Sequence, residues 1–291
     1  MYKLEIRPNM CLSDAEVEAL RGTVPMRGDE DLIEEDIYVF ERVGGKERAL
    51  AYLVRNCLDK KLVADSAKLM RTVHGDLSNR GSVIYKGSMM NRERKTDGSL
   101  SFTKAVSPAV LQFLRERNAR LGLTGPYSDF LGYADKTPRH PFCRETNWSL
   151  ERPDIFEISR PLVQAVDYVY RDSQFDYWKR QRDFMRGVSD NFKYTGATFS
   201  TATVNLNVSS CYHTDEGDFR GGMGNLVVLE LARDDSGILV MPREHVAFLA
   251  RPTDVLLMDV HHMHGNCPLT VGGTRLTTVL YARERINDCG E

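Results

Sequence analysis

Two segments carry most of the chemistry that this sequence offers. His213-Thr-Asp215 follows an apolar run, and in an extended chain residues i and i+2 point to one side, so both side chains can reach a single metal ion. A neutral imidazole with a carboxylate is a ligand pair suited to Fe(II). A second imidazole would complete the two-histidine, one-carboxylate triad, which leaves coordination positions open for chemistry. The segment Asp254-Val-Leu-Leu-Met-Asp-Val-His261-His262-Met-His264-Gly-Asn supplies three candidates. His264 is the choice, because it follows the apolar strand and an extra turn. His262, which shares its strand parity, is the alternative and is otherwise a neighbour of the site. His261, His74, His140 and His245 read as structural. Eleven residues beyond His264, Arg275-Leu-Thr277 opens another apolar run. A guanidinium there can hold a carboxylate through two charge-assisted hydrogen bonds, and Thr277 on the same face can add a third.

These residues need a rigid scaffold, and the runs around them read as strands: Phe199–Val208, Asn225–Leu231, Ile238–Met241, Val246–Leu249, Val255–Val260 and Leu276–Tyr281. Gly221-Gly222, Asp235-Ser-Gly, Arg251-Pro-Thr-Asp and Gly272-Gly273 punctuate them. Many short strands at regular spacing predict a sandwich or barrel, here a jelly roll. The N-terminal part reads as helices and loops. Ser13-x-x-Glu16 is a capping box opening a short helix that ends near Gly22. Apolar residues at helical spacing predict an amphipathic helix over 59–74. Ser107-Pro108 and Gly122 bracket a second, and a longer one begins at Pro161. Residues 29–41 hold seven acids and no base and read as a solvated edge or a turn leading into a strand. Segments 81–107 and 122–160 read as irregular, the first as a lid or substrate contact. The expected class is therefore α+β: a double-stranded β-helix of the jelly-roll, cupin-like kind, buttressed by N-terminal helices, in one domain over 1–291.

Composition narrows the function. With 39 Lys and Arg against 41 Asp and Glu, the net charge of -2 excludes a purely electrostatic nucleic-acid coat. A local basic groove remains open: Lys86, Arg92, Arg94 and Lys95 in the expected lid, and Lys179, Arg180, Arg182 and Arg186 on the long helix. No apolar run reaches the roughly 20 residues of a membrane span. The six cysteines (Cys11, Cys57, Cys143, Cys211, Cys267 and Cys289) lack paired spacing, so six free thiols and a soluble intracellular protein are expected. Nothing in the sequence sets an oligomeric state.

The pattern His213-x-Asp215, His264 and Arg275-x-Thr277 resembles the Fe(II)- and 2-oxoglutarate-dependent dioxygenases. Within them, Thr203-Val-Asn-Leu-Asn207, Tyr212-His-Thr-Asp-Glu-Gly-Asp218-Phe219, Gly222-Met-Gly-Asn-Leu-Val-Val-Leu-Glu230 and the segment Asp254–Asn266 resemble the TET/JBP branch, which oxidises the 5-methyl group of thymine or 5-methylcytosine in nucleic acid. The likeness covers roughly residues 195–285, which would be the jelly-roll core, with 1–194 as helical and loop support and lid.

That resemblance implies roles. His213, Asp215 and His264 would hold Fe(II); 2-oxoglutarate and O2 would be co-substrates, with Arg275 and Thr277 on the far carboxylate of 2-oxoglutarate. Asn205 and Asn207 alternate toward one face and are candidates to contact 2-oxoglutarate or substrate. Asp218 would orient a ligand or bind a polar substrate edge. A base in nucleic acid would have to be single-stranded or flipped out to reach the iron, and Tyr212 and Phe219 are the candidates to stack on it. Two other readings stand beside this one: the same chemistry on a free amino acid, nucleoside or natural-product intermediate, and a cupin-like protein that binds metal or ligand without turnover. A 2-oxoglutarate anchor at Arg275 counts against the last.

Overall fold

The acidic N-terminal stretches are largely strands, and they form the outer members of both sheets. The computed structural model describes residues 2–26, 28–75, 92–94, 100–102, 108–138, 140–232 and 237–290. Strand β1 (Tyr2–Ile6) and helix α1 (Asp14–Leu20) come first, followed by β2 (Asp31–Ile33), β3 (Ile37–Val43) and β4 (Lys46–Val54). Gly44 and Gly45, at φ +57° and +80°, make the two-residue hairpin turn between β3 and β4, a position that favours glycine. The expectation of helices and loops here is corrected. Outward charges mask inward Ile33, Val39, Phe40 and Leu53, all buried.

Helix α2 (Lys60–Met70) has Asp59 as its cap, the side chain accepting from the Leu62 amide at 2.8 Å. Two short strands, β5 (Arg92–Arg94) and β6 (Leu100–Phe102), pair with each other. The rest of the expected lid, with Lys86 and Lys95, lies outside the described residues. Helix α3 (Pro108–Arg120) precedes β7 (Tyr127–Ala134), β8 (Arg144–Glu145) and α4 (Asn147–Glu151), so the segment expected to be irregular from 122 to 160 is mostly regular. Helix α5 (Pro153–Ser173) starts eight residues earlier than Pro161 predicted, and α6 (Phe175–Met185) follows. Pro161 sits inside α5 on its exposed side. There the carbonyl that loses its intrahelical partner can be met by water.

The six strands read from the C-terminal sequence all form, as β9 (Thr201–Leu206), β10 (Gly224–Ala232), β11 (Leu239–Met241), β12 (Val246–Phe248), β13 (Val255–Met258) and β15 (Thr274–Tyr281), and a short β14 (Gly265–Asn266) that was not expected lies between the last two. They divide between a nine-stranded sheet, ordered β1-β3-β4-β13-β10-β15-β9-β7-β8, and a four-stranded sheet, ordered β14-β11-β12-β2. Pairing is antiparallel except at β1–β3 and β2–β12.

The centre of strand β10, Leu226–Leu229, is apolar at four successive positions because one face meets helices and the other meets the second sheet. Val227 and Leu229 pack with Leu162, Val166 and Tyr170 of α5. Leu226 and Val228 pack between the sheets with Leu239, Met241 and Phe248. A third cluster, with Val17, Val240 and Leu249, covers the outside of the small sheet. Cys143 and Cys289 form a disulfide with Cα atoms 5.8 Å apart, which corrects the expectation of six free thiols; Cys11, Cys57, Cys211 and Cys267 are free. Among the described residues no helix is long and apolar enough to cross a membrane.

Candidate metal centre

Backbone pairing brings the site together. After β13 the chain turns through 259–262, and His264 then meets His213 in an isolated antiparallel bridge. The His213 amide donates to the His264 carbonyl, and the His264 amide to the His213 carbonyl, each at 2.9 Å. Directly opposed residues of such a pair project to one side, and the two rings lie 4.4 Å apart at their centroids. The Asp215 amide donates to the Val260 carbonyl at 3.0 Å, fixing the carboxylate beside them.

The ring geometry suits a metal. His213 Nδ1 lies 2.7 Å from the Cys211 carbonyl, and His264 Nδ1 lies 2.9 Å from the His262 carbonyl. A carbonyl only accepts, so each Nδ1 carries the proton and each Nε2 keeps its lone pair. Those Nε2 atoms stand 3.6 Å and 3.7 Å from the two Asp215 oxygens. One donor atom from each residue lies within 4.8 Å of the others. His213 and His264 are 8% and 6% exposed. Among the described residues this is the group of three or more His, Cys, Asp or Glu that could hold an ion.

The metal candidates share a cavity of about 300 Å³ with Arg275 and Thr277. Arg275 is 6% exposed, and none of the described carboxylates pairs with it. Burial pushes its pKa down to about 10, partly offset by Cys267, so it stays charged at neutral pH. A buried cation lacking a counter-charge is costly, which suits a site completed by an anionic ligand. Gly237 makes room for it: a Cβ there would sit 2.3 Å from Arg275 Cδ, at φ +71°.

The other expected site residues divide. Asn205 and Asp218 line the cavity, and Ser128 Oγ donates to Asn205 Oδ1 at 2.7 Å. Asn207 does not: it ends β9 at φ +55°, its amide donates to the Thr124 carbonyl, and its oxygen accepts from the Arg275 amide, both at 2.9 Å. It shapes the backbone that carries Arg275. Tyr212 is buried in the cluster outside the small sheet, and Phe219 stacks on Phe184 with centroids 4.1 Å apart, so neither ring faces the cavity. His262 turns its ring to Glu244, 2.6 Å from Nδ1, and lies outside the group of converging donors. Lys179 and Arg186 of the helical basic cluster pair with Asp183, while Arg180 and Arg182 lie over Tyr177 and Trp178.

Sequence reading stopped short along β15. Arg275, Thr277, Val279, Tyr281 and Arg283 alternate into the cavity, of which the sequence pattern points only to the first two. Arg283 is held by Asp135 at 3.3 Å and by Thr201 Oγ1 at 3.1 Å, and its guanidinium lies over Phe130 at 5.5 Å.

The fold and site define a class: a jelly-roll protein with a two-histidine, one-carboxylate centre and a buried anion-binding arginine in the same cavity. Residues 129–284 match the Tet_JBP family, described as the oxygenase domain of the 2OGFeDO superfamily, and the chain belongs to that family. It is similar to thymine dioxygenase JBP1 of Trypanosoma brucei brucei, 34% identical over 186 residues, which cover 59% of this chain and 21% of that protein. It is 32% identical over 223 residues to thymine dioxygenase JBP1 of Leishmania major, covering 72% of this chain and 26% of that protein. The chain thus spans about a fifth to a quarter of the length of these relatives. Among solved structures, NgTET1 in complex with 5mC DNA is similar at a TM-score of 0.47 and 15% identity, over 79% of this chain and 93% of that one.

Proposed function

We propose that this chain is an Fe(II)- and 2-oxoglutarate-dependent dioxygenase that oxidises the 5-methyl group of thymine or 5-methylcytosine in nucleic acid. The observation that carries it is one cavity holding both the His213, Asp215 and His264 donors and the buried, carboxylate-free Arg275. Bound there, ferrous ion with 2-oxoglutarate and O2 supplies the oxidising power to hydroxylate an unactivated methyl group. His213 and His264 present Nε2, and Asp215 supplies the carboxylate. Arg275, aided by Thr277, holds the far carboxylate of 2-oxoglutarate and sets how it enters the site. Buried Leu226 and Met258, with partly buried Val279, keep the interior apolar, while Asp218, Asn205 and Arg283 offer acceptors and donors for a base edge.

A cavity of about 300 Å³ accommodates a single base and excludes a duplex, so the base must be flipped out or already single-stranded. Names borne by the relatives support thymine or its analogue as the base. The test is incubation with Fe(II), 2-oxoglutarate and oligonucleotides containing thymine or 5-methylcytosine, followed by mass spectrometry of the released nucleosides. Gain of one oxygen on either base supports the reading. Succinate formation without base oxidation would transfer the same chemistry to a free small molecule.

A further inference from the structure

Three histidines lie in four residues of the turn that ends in the proposed ligand His264, and each has its own partner. His261 Nδ1 meets Asp259 at 3.1 Å, and its Nε2 meets the Asp218 carbonyl at 3.2 Å. His262 Nδ1 donates to Glu244 Oε1 at 2.6 Å, while Nε2 faces Arg48 at 3.3 Å. The backbone carbonyl of His262 is the group that accepts from His264 Nδ1 at 2.9 Å. A short relay thus runs from Glu244 through the His262 ring and backbone to the ring that meets the metal.

Glu244 is unusual for a residue in a turn. It sits between β11 and β12, its side chain is 1% exposed, and its second oxygen is buried with no hydrogen-bond partner among the described residues. Burying a carboxylate on such terms is expensive unless its single strong contact matters. The turn around it is itself fixed. The Leu12 amide donates to the Arg243 carbonyl at 3.2 Å, and the Asp31 amide to the His245 carbonyl at 3.0 Å. His245 there has φ +53°. Glu244 is therefore a rigid post on the small sheet, and His262 is the arm bolted to it.

We propose that Glu244, acting through His262, is a positioning residue for the metal ligand His264: it holds the 259–264 turn so that the His262 carbonyl fixes the tautomer and tilt of the His264 imidazole. The inference rests on the metal reading of the site. Partners of this outer kind usually carry about 10–100-fold of metal affinity.

The test is Co(II) binding, followed by its visible absorption in the 291-residue chain, with thermal unfolding of the metal-free protein alongside. Glu244→Gln keeps an acceptor for His262 Nδ1; Glu244→Leu and His262→Leu remove one end of the contact. Expected are a Co(II) affinity within about threefold of wild type for Glu244→Gln and a loss of about 10–100-fold in both leucine variants. The absorption band should also shift in the leucine variants, which a change in stability alone would not produce. Folded leucine variants that bind Co(II) like wild type, with an unchanged band, would overturn the positioning role. If the leucine variants do not fold, His262→Ala, which leaves Glu244 without its donor, takes their place, and unchanged affinity and spectrum there overturn it equally. A wild-type chain that takes up no Co(II) would instead sink the metal reading itself.

Discussion

The His213 and His264 backbones are hydrogen-bonded to each other in both directions, at 2.9 Å each way. Two proposed ligands 51 positions apart in sequence are thereby one rigid pair, and their rings need no conformational search to converge. The hydrogen bonds are backbone ones, so side-chain substitutions at either position should spare the scaffold and strike the metal.

Replacement of His264 by alanine should therefore cost more than about 100-fold in Fe(II) affinity, beyond the range of an outer-sphere change. His262 cannot substitute for it, because its ring is committed to Glu244. Anaerobic calorimetry of His213→Ala, Asp215→Ala and His264→Ala is the measurement; a loss below about tenfold for His264→Ala would show that another group serves as ligand.

Arg275→Leu should weaken 2-oxoglutarate while leaving the metal in place. Truncating one partner of a buried, hydrogen-bonded charge pair costs roughly 2–5 kcal/mol, about 30-fold or more in affinity. Arg275→Lys should recover only part of this, since an ammonium lacks the planar fork. Titration of 2-oxoglutarate into the Fe(II)-loaded protein, read by the charge-transfer band, decides it. Equal affinity in wild type and Arg275→Leu would remove the anchor from the proposal.

The contact between His261 and Asp259 should make stability depend on pH in a defined sense. The hydrogen bond and charge of Asp259 outweigh burial and raise the His261 pKa. Burial pushes Asp259 up, but its contacts with His261 and His262 outweigh that and leave it lowered. A raised histidine contributes fully below its unfolded value and loses that contribution as pH climbs through the folded one. A lowered aspartate contributes above its unfolded value and loses it as pH falls through the folded one. The pair is thus strongest between roughly pH 4 and 6.5. The difference in Tm between wild type and His261→Gln should be larger at about pH 6 than at about pH 8.5; an equal or reversed difference would contradict this.

Reduction of the Cys143–Cys289 bond should lower stability, because it closes a loop of 146 residues. Loss of about 2–5 kcal/mol is expected. Counting thiols in the denatured, unreduced chain should give the four free cysteines, Cys11, Cys57, Cys211 and Cys267. Six reactive thiols without reductant would show that the bond does not form.

The candidate donors His213, Asp215 and His264 and the pair Arg275-x-Thr277 stood out because each follows or opens an apolar run. The core strands were legible for a related reason: β10 and β13 are buried on both faces, so their runs are continuous. The N-terminal strands were only partly legible, as a turn leading into a strand over 29–41, because β2 and β3 follow one another within an acidic stretch and bury few residues, among them Ile33, Val39 and Phe40. Tyr212 and Phe219 misled, since an aromatic beside a site looks the same in sequence whether it faces the ligand or the core. Asn207 misled because its left-handed backbone, which ends the alternation of β9, is set by the tertiary contacts to Thr124 and Arg275. Nothing local could join Cys143 to Cys289.

The family match begins at Asp129, well after β2 and β4. Yet β4 lies along β13 through Val54–Val255 to Ala51–Met258, and β2 lies along β12 through Asp31–Val246 to Ile33–Phe248. A recombinant fragment trimmed to residues 129–284 would leave both of those backbones bare, an invitation to pair with strangers. The first fifty or so residues are the selvedge of the cloth: cut there, and the weave holding His213 and His264 begins to ravel.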